Sequence, residues 1–272
     1  MESGLNHQSI DEFREGRGMK KFFLVSLFLL LTAFTVSAQG ITTKSLSESW
    51  TGFLKKYSAN GKVDYRGFKN DEEFAILINK LNLISLTSLS KEEKLAFYIN
   101  VYNINVIKLI CDYYPVDKIT DIKITGSASP FKYKFIKLGK NSYSLDEIEN
   151  QLIRGLYYEP RIHFALVAGA VSSPELAEEA FTGENLDKLL TKQTTKFLKN
   201  EKLNRFDFTN LKMNLNEAFK WYESDFGGQE NFRIYISKYL DGSEAATLKA
   251  QNFAISFIPY DWNLNDKRQR LY

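Results

Sequence analysis

SLDEIENQLIRGLYYEPRIHFALVAGAVSSPEL, residues 144–176, carries the densest set of local folding instructions in the chain. Ser144 with Glu147 three residues on has the spacing of a capping box, in which hydroxyl and carboxylate satisfy the free amides of a first helical turn. Leu145, Ile148, Leu152, Ile153 and Leu156 then recur at helical spacing, which predicts a helix with one buried face. Pro160 ends the connection, and residues 162–168 are a short apolar run of the kind that fills a buried strand. Gly169 allows a close turn. Ser173, Pro174 and Glu175 follow as N-cap, first-turn proline and early acidic charge of an expected second helix. Arg161 and His163 lie in or beside the apolar run and need partners if buried. A strand that feeds a glycine turn and a helix N-terminus is where many folds assemble a site.

Upstream of this stretch the pattern is mostly helical. Leu46, Trp50, Phe53, Leu54 and Tyr57 mark an amphipathic helix that the Asn60-Gly61 turn ends, and residues 62–65 read as a short extended piece. Asp71 opens a helix through Phe74, Leu77, Ile78 and Leu81. Ser90 with Glu93 is a further capping box, at the head of a helix reaching about Tyr113 that is apolar on most sides and so belongs at the centre of the core. Asn100, Tyr102, Asn103 and Asn105 interrupt its apolar surface. A buried asparagine amide must be hydrogen bonded, so the cluster either caps neighbouring loops from within or forms one wall of a pocket. Pro115 closes this helix, residues 119–124 read as a short strand or turn, and residues 133–143 as a hairpin around Gly139-Lys140-Asn141. Downstream, Asn185 can cap a helix through Leu186, Leu189, Leu190 and Phe197, residues 205–215 suggest another hairpin, and residues 217–222 and 232–240 suggest two short helices. Residues 253–260 alternate as a strand. Without internal repeats or low-complexity linkers, the expectation is one α+β domain, several helices packed on a small, mainly antiparallel sheet.

Composition narrows the role. Met19-Lys20-Lys21, the apolar run 22–36 and the small residues Ser37-Ala38 have the three parts of a secretory signal, with cleavage expected after Ala38. The run holds about 15 residues against the roughly 20 that span a bilayer, so an uncleaved anchor is the weaker alternative. Residues 1–18 are polar and aperiodic and read as a start-site extension, residues 19–38 as the signal, and residues 39–272 as the folded domain. Such a chain is exported, to the periplasm or beyond, with no transmembrane span after cleavage. The chain has 44% hydrophobic and 14% aromatic residues, enough for a sizeable core, and its net charge of +3 gives no case for nucleic acid. Cys111 is the single cysteine, sits in an apolar helix, and cannot form an intramolecular disulfide. There is no phosphate loop, dinucleotide glycine pattern or metal-ligand spacing, so neither a metal nor another cofactor is expected.

Several uncommon words in fixed order resemble one family, the domain of unknown function DUF547, in its secreted bacterial branch. They are Val63-Asp64-Tyr65, the FYINVYN run at 97–103, SLDEIE at 144–149 with Leu152-Ile153-Arg154, PRIHFAL at 160–166, Trp221-Tyr222 with Asp225-Phe226, and YDWNLN at 260–265. The resemblance implies a cysteine where this chain has Ala168, a second where it has Ser173, and a histidine where it has Asn150. Were relatives thiol enzymes, those positions would supply nucleophile and base. Ala168 offers no nucleophile and Asn150 takes no proton.

His163 is the one histidine left after the leader. Acyl chemistry here would need Ser172 or Ser173 near it, with Glu149 or Asp261 orienting the ring. The plainer reading has Ser173 capping a helix, Ser172 in the turn and His163 buried between hydrogen-bonding partners. Glu149, Arg154 and Arg161 can form a structural ion pair or a catalytic acid with its partner. Asn100, Tyr102, Asn103, Arg154, Arg161 and Trp262 are the candidate pocket residues. Three roles remain open. One is a binding or interaction module for a small molecule or an envelope protein, a second a hydrolase or acyl transferase using His163 with Glu149, Asp261 and Ser172, and a third a structural envelope protein. Convergence of these side chains on one cavity separates them.

Overall fold

The structure, a computed structural model, describes residues 42–268; the expected extension and signal lie outside those residues. Helix α1 (Thr43–Tyr57) starts at a capping box between Thr42 and Ser45 and buries Leu46, Trp50, Phe53 and Leu54. After the short ladder of β1 (Ser58–Ala59) and β2 (Lys62–Val63), Asp64 caps α2 (Tyr65–Lys69) and Asp71 caps α3 (Glu72–Leu81). Trp50, Phe53, Phe68 and Phe74 interlock between these three helices, with ring centroids 4.8–6.4 Å apart. Tyr65 begins α2 and does not extend β2, because the Asp64 carboxylate accepts from the Gly67 amide and starts a helical turn there.

Helix α4 (Lys91–Tyr113) has the expected capping box of Ser90 and Glu93 and runs through the middle of the larger core, with Ile99, Val101, Ile104, Val106, Ile107 and Ile110 shielded from solvent. Its length and its apolar character on most sides require cover on most sides, and α2, α3 and residues 148–154 supply it. Cys111 is buried there with its thiol on the Tyr65 carbonyl, and burial pushes that thiol up to about 12. Hairpin β3 (Ile136–Leu138) and β4 (Asn141–Tyr143) delivers the chain to Ser144, whose capping box with Glu147 opens α5 (Leu145–Glu147). The helix then widens into seven residues of π-helix, Ile148–Arg154, closed by a bond from the Gly155 amide to the Asn150 carbonyl. Such widened turns often mark functional sites, because they re-aim side chains.

Two expectations for the next residues are corrected. Residues 162–168 are not a strand: Pro160–Phe164 form a 3-10 helix. The Glu159 carboxylate accepts from the Arg161 amide, and Pro160 occupies the first turn, where its missing N–H costs nothing. A short buried apolar run does not by periodicity distinguish strand from helix. Nor does a helix follow Ser173-Pro174-Glu175. The Ser173 hydroxyl accepts from the Ala168 amide and donates to the Pro174 carbonyl, closing the turn, and regular helix resumes only at α6 (Leu186–Leu198). Gly169 does make the tight turn, at φ +68°, and a Cβ there would meet Ile110 Cδ1 at 2.4 Å.

A second core forms beyond α6. Strands β5 (Arg205–Asp207) and β6 (Lys212–Asn216) pair antiparallel, while β7 (Ala254–Ile258) lies parallel to β6. A parallel neighbour needs a crossover, and α7 (Ala218–Trp221), α8 (Phe232–Ile236) and α9 (Gly242–Ala250) make it. Phe164, Phe197, Met213, Leu215, Phe219, Phe226 and Phe232 fill this core, while Ile162 and Ala165 belong to the first. Residues 160–166 therefore join both cores, and His163 stands at the seam. The architecture is α+β, with small antiparallel ladders and one mixed sheet.

After β7, residues 260–267 run back across the molecule as an extended strap. Asn263 and Asp261 carbonyls accept from the Val171 and Ser172 amides, the Leu264 amide donates to Asp117, the Asn265 amide donates to Gly169, and Val63 exchanges bonds with Asn265 and Lys267, all at 2.8–3.1 Å. The Tyr65 hydroxyl donates to the Asn265 side chain at 2.7 Å.

Candidate functional site

The two cores, the π-helical turn and the strap meet around a cleft of about 380 Å³, within the usual range of small-ligand pockets, about 300–1,000 Å³. Asp146 enters it from α5 and Glu149 from the widened turn that follows, His163 from the 3-10 turn, and Val167 and Ala168 from the loop behind it. Tyr102 comes from α4, Phe131 and Lys132 from the loop before β3, Trp221 and Tyr222 from α7 and its end, and Tyr260 and Trp262 from the strap. Each local rule places one side chain here, and the convergence is tertiary.

His163 is fixed on two sides. Its side chain is 1% exposed, with Nε2 2.8 Å from Asp225 Oδ2. The ring stacks on Tyr222 with centroids 3.8 Å apart and planes 17° from parallel. Asp225 in turn takes two bonds from Arg154, from Nε at 2.7 Å and from the terminal nitrogen at 2.8 Å, and the Asn150 carbonyl oxygen accepts from the same guanidinium. The Arg154 guanidinium and His163 hold the Asp225 carboxyl well below the usual carboxylate range. The orienting acid is thus Asp225, which sequence reasoning left out of the site; its only trace there was the Trp221-Tyr222, Asp225-Phe226 word.

Glu149 behaves oppositely. Loss of solvation raises its carboxyl above the ordinary value, partly offset by the Tyr222 hydroxyl and by His163 and Arg154. By exposed area Glu149 is only half-buried and it lines the cleft, yet desolvation by the surrounding protein is the largest influence on it. Burial raises Tyr102, Tyr222 and Tyr260 as well, keeping them protonated. Trp221, Tyr260 and Trp262 form an aromatic corner, with centroids 4.5, 4.8 and 5.8 Å apart, and Phe131 meets Trp262 edge-on at 6.2 Å.

Of the residues singled out from the sequence, the cleft brings together Glu149, His163, Tyr102, Trp262 and Ala168. The others lie elsewhere. The Ser172 hydroxyl accepts from the Asp261 amide at 2.9 Å and so ties the strap down, while the Asp261 carboxylate accepts from the Asn263 amide within the strap itself. Asn100 holds Phe181 by its amide and carbonyl, and Asn103 holds Ala165 and Val167 in the same way. Arg161 binds Glu159 and Asp187, away from the cleft. Asn150 caps back to Asp146 and steadies Arg154. Ser173 closes the turn beneath Tyr260. The asparagines thus act as internal caps.

Among the described residues no group of three or more His, Cys, Asp or Glu side chains is placed to hold a metal ion, and no helix is long and apolar enough to cross a membrane. A family model described as protein of unknown function, DUF547, matches residues 86–198, which contain α4, the widened helix, His163 and Ala168. No curated protein and no solved structure matches the chain.

Proposed function

We propose that this chain, a member of the DUF547 family over residues 86–198, is an exported binding module whose ligand occupies the cleft between Glu149, His163 and Trp262. The observation that carries this reading is the position of Ala168. It lines the cleft together with His163, so a methyl group occupies a spot from which a nucleophile would reach a bound ligand. The thiol of Cys111 is spent on a backbone carbonyl inside the first core. The Ser129 hydroxyl at the rim accepts from the Phe131 amide.

A second reading draws on the His163 and Asp225 pair. A buried imidazole oriented by a carboxylate is the arrangement of a general base, and a hydrolase or acyl transferase would use it with Glu149. Ser172 and Asp261 contribute to this reading only through the strap. Screening the purified protein against ester, amide and peptide substrates separates the two. The binding reading expects no turnover above buffer; turnover abolished by His163→Ala refutes it. Export rests on the leader, and the mass of the protein recovered from the native envelope checks it: a chain beginning at Gln39 is expected, and an unprocessed cytoplasmic chain overturns it.

A further inference from the structure

The lining of the cleft favours one ligand chemistry. Arg154 is committed to Asp225, Arg161 to Glu159 and Asp187, and His163 Nε2 to Asp225. Glu149 is left lining the cleft with the Tyr222 hydroxyl as its close partner and with His163 and Arg154 near enough to act on its charge, and the same lining holds Asp146 and one lysine, Lys132. Trp221, Tyr260 and Trp262 line the same cleft as these acids, and Trp221 is 44% exposed although large and apolar. Aromatic faces beside a carboxylate attract cations, because the negative ring quadrupole and the acid act on the same charge. A neutral sugar would also stack on such rings, but it gains little from a lining in which two carboxylates, Glu149 and Asp146, outnumber the one lysine, whereas a cation is drawn to it.

Resting on the binding reading above, we infer that the ligand is a small organic cation, a protonated or methylated amine on a compact body. Its charge sits against Glu149 and its body lies on the corner of Trp221, Tyr260 and Trp262. The cleft volume of about 380 Å³ admits such a molecule whole.

Calorimetric titration of the full chain with choline and with its neutral isostere 3,3-dimethylbutan-1-ol tests the inference without any variant. Choline is expected to bind at least roughly tenfold more tightly, the sum of cation–π and carboxylate attraction. Glu149→Gln should remove that preference, and Trp262→Ala should weaken both ligands, with the melting transition read alongside to exclude unfolding. Equal affinity for the isostere, preference for a neutral monosaccharide, or no binding of choline or of pentylamine overturns the cation inference. The first two results leave the binding reading standing, whereas turnover in the substrate screen removes that reading itself.

Discussion

Asp225 and Glu149 are acids on either side of the His163 and Tyr222 stack, yet their surroundings drive them apart. Asp225 is held low by Arg154 and His163, so its pairing contributes stability that is fully present above its unfolded value near 3.8 and is lost as pH falls through the lower folded value. Glu149 is raised by desolvation. Its burial therefore detracts from stability at neutral pH, an effect that fades as pH falls through the folded value and is gone below about 4.5. Arg154→Met removes a two-point, charge-assisted contact and is expected to cost about 1.5–3 kcal/mol at pH 7. Urea denaturation at a series of pH values checks it: the gap to wild type should narrow below pH 3.8, and a gap that does not change with pH would mean Arg154 matters through packing alone.

At the scale of elements, α4 works as an internal scaffold whose asparagines hold two loops in place. Asn103 accepts from the Val167 amide and donates to the Ala165 carbonyl. Asn103→Ala leaves both backbone groups buried and unpaired, at about 1–3 kcal/mol for each. Asn105 bonds only the Val101 carbonyl of its own helix, so Asn105→Ala should cost about 1 kcal/mol or less. Hydrogen exchange at Val167 distinguishes them: protection should fall in the first variant and persist in the second. The capping boxes at Ser90 and Ser144 were legible in the sequence because each is complete within four residues. Residues 162–168 were misread because an apolar run records burial but not backbone geometry. Helix α9 escaped notice because Leu248 is its one buried residue, which leaves no apolar stripe to detect.

At the scale of the molecule, the strap at residues 260–267 ties the end of the second core back onto the first and carries two of the cleft aromatics. Asn265 is its pin, held by Tyr65 and bonded through its amide to the Gly61 carbonyl. Asn265→Ala is expected to lower stability by about 2 kcal/mol or more and to loosen Tyr260 and Trp262, read as a lower melting transition together with greater quenching of tryptophan emission by acrylamide. A lowered transition with unchanged quenching would show that the strap does not position the cleft. The sequence alone determined the helices α1, α3, α4 and α6, the capping boxes at Ser90 and Ser144, the Gly169 turn, the α+β class and the family resemblance, because those depend on residues a few positions apart or on words in fixed order. The cap expected of Asn185 does not form, since its side chain makes no cap bond to α6. Only the tertiary structure decided that Asp225, not Asp261, faces His163, that the asparagines serve loops, and that Glu149, Ala168 and Trp262 share a cleft. Those partners are separated by tens of residues, and which of them meet depends on how two cores and a returning strap pack together, which local periodicity does not encode.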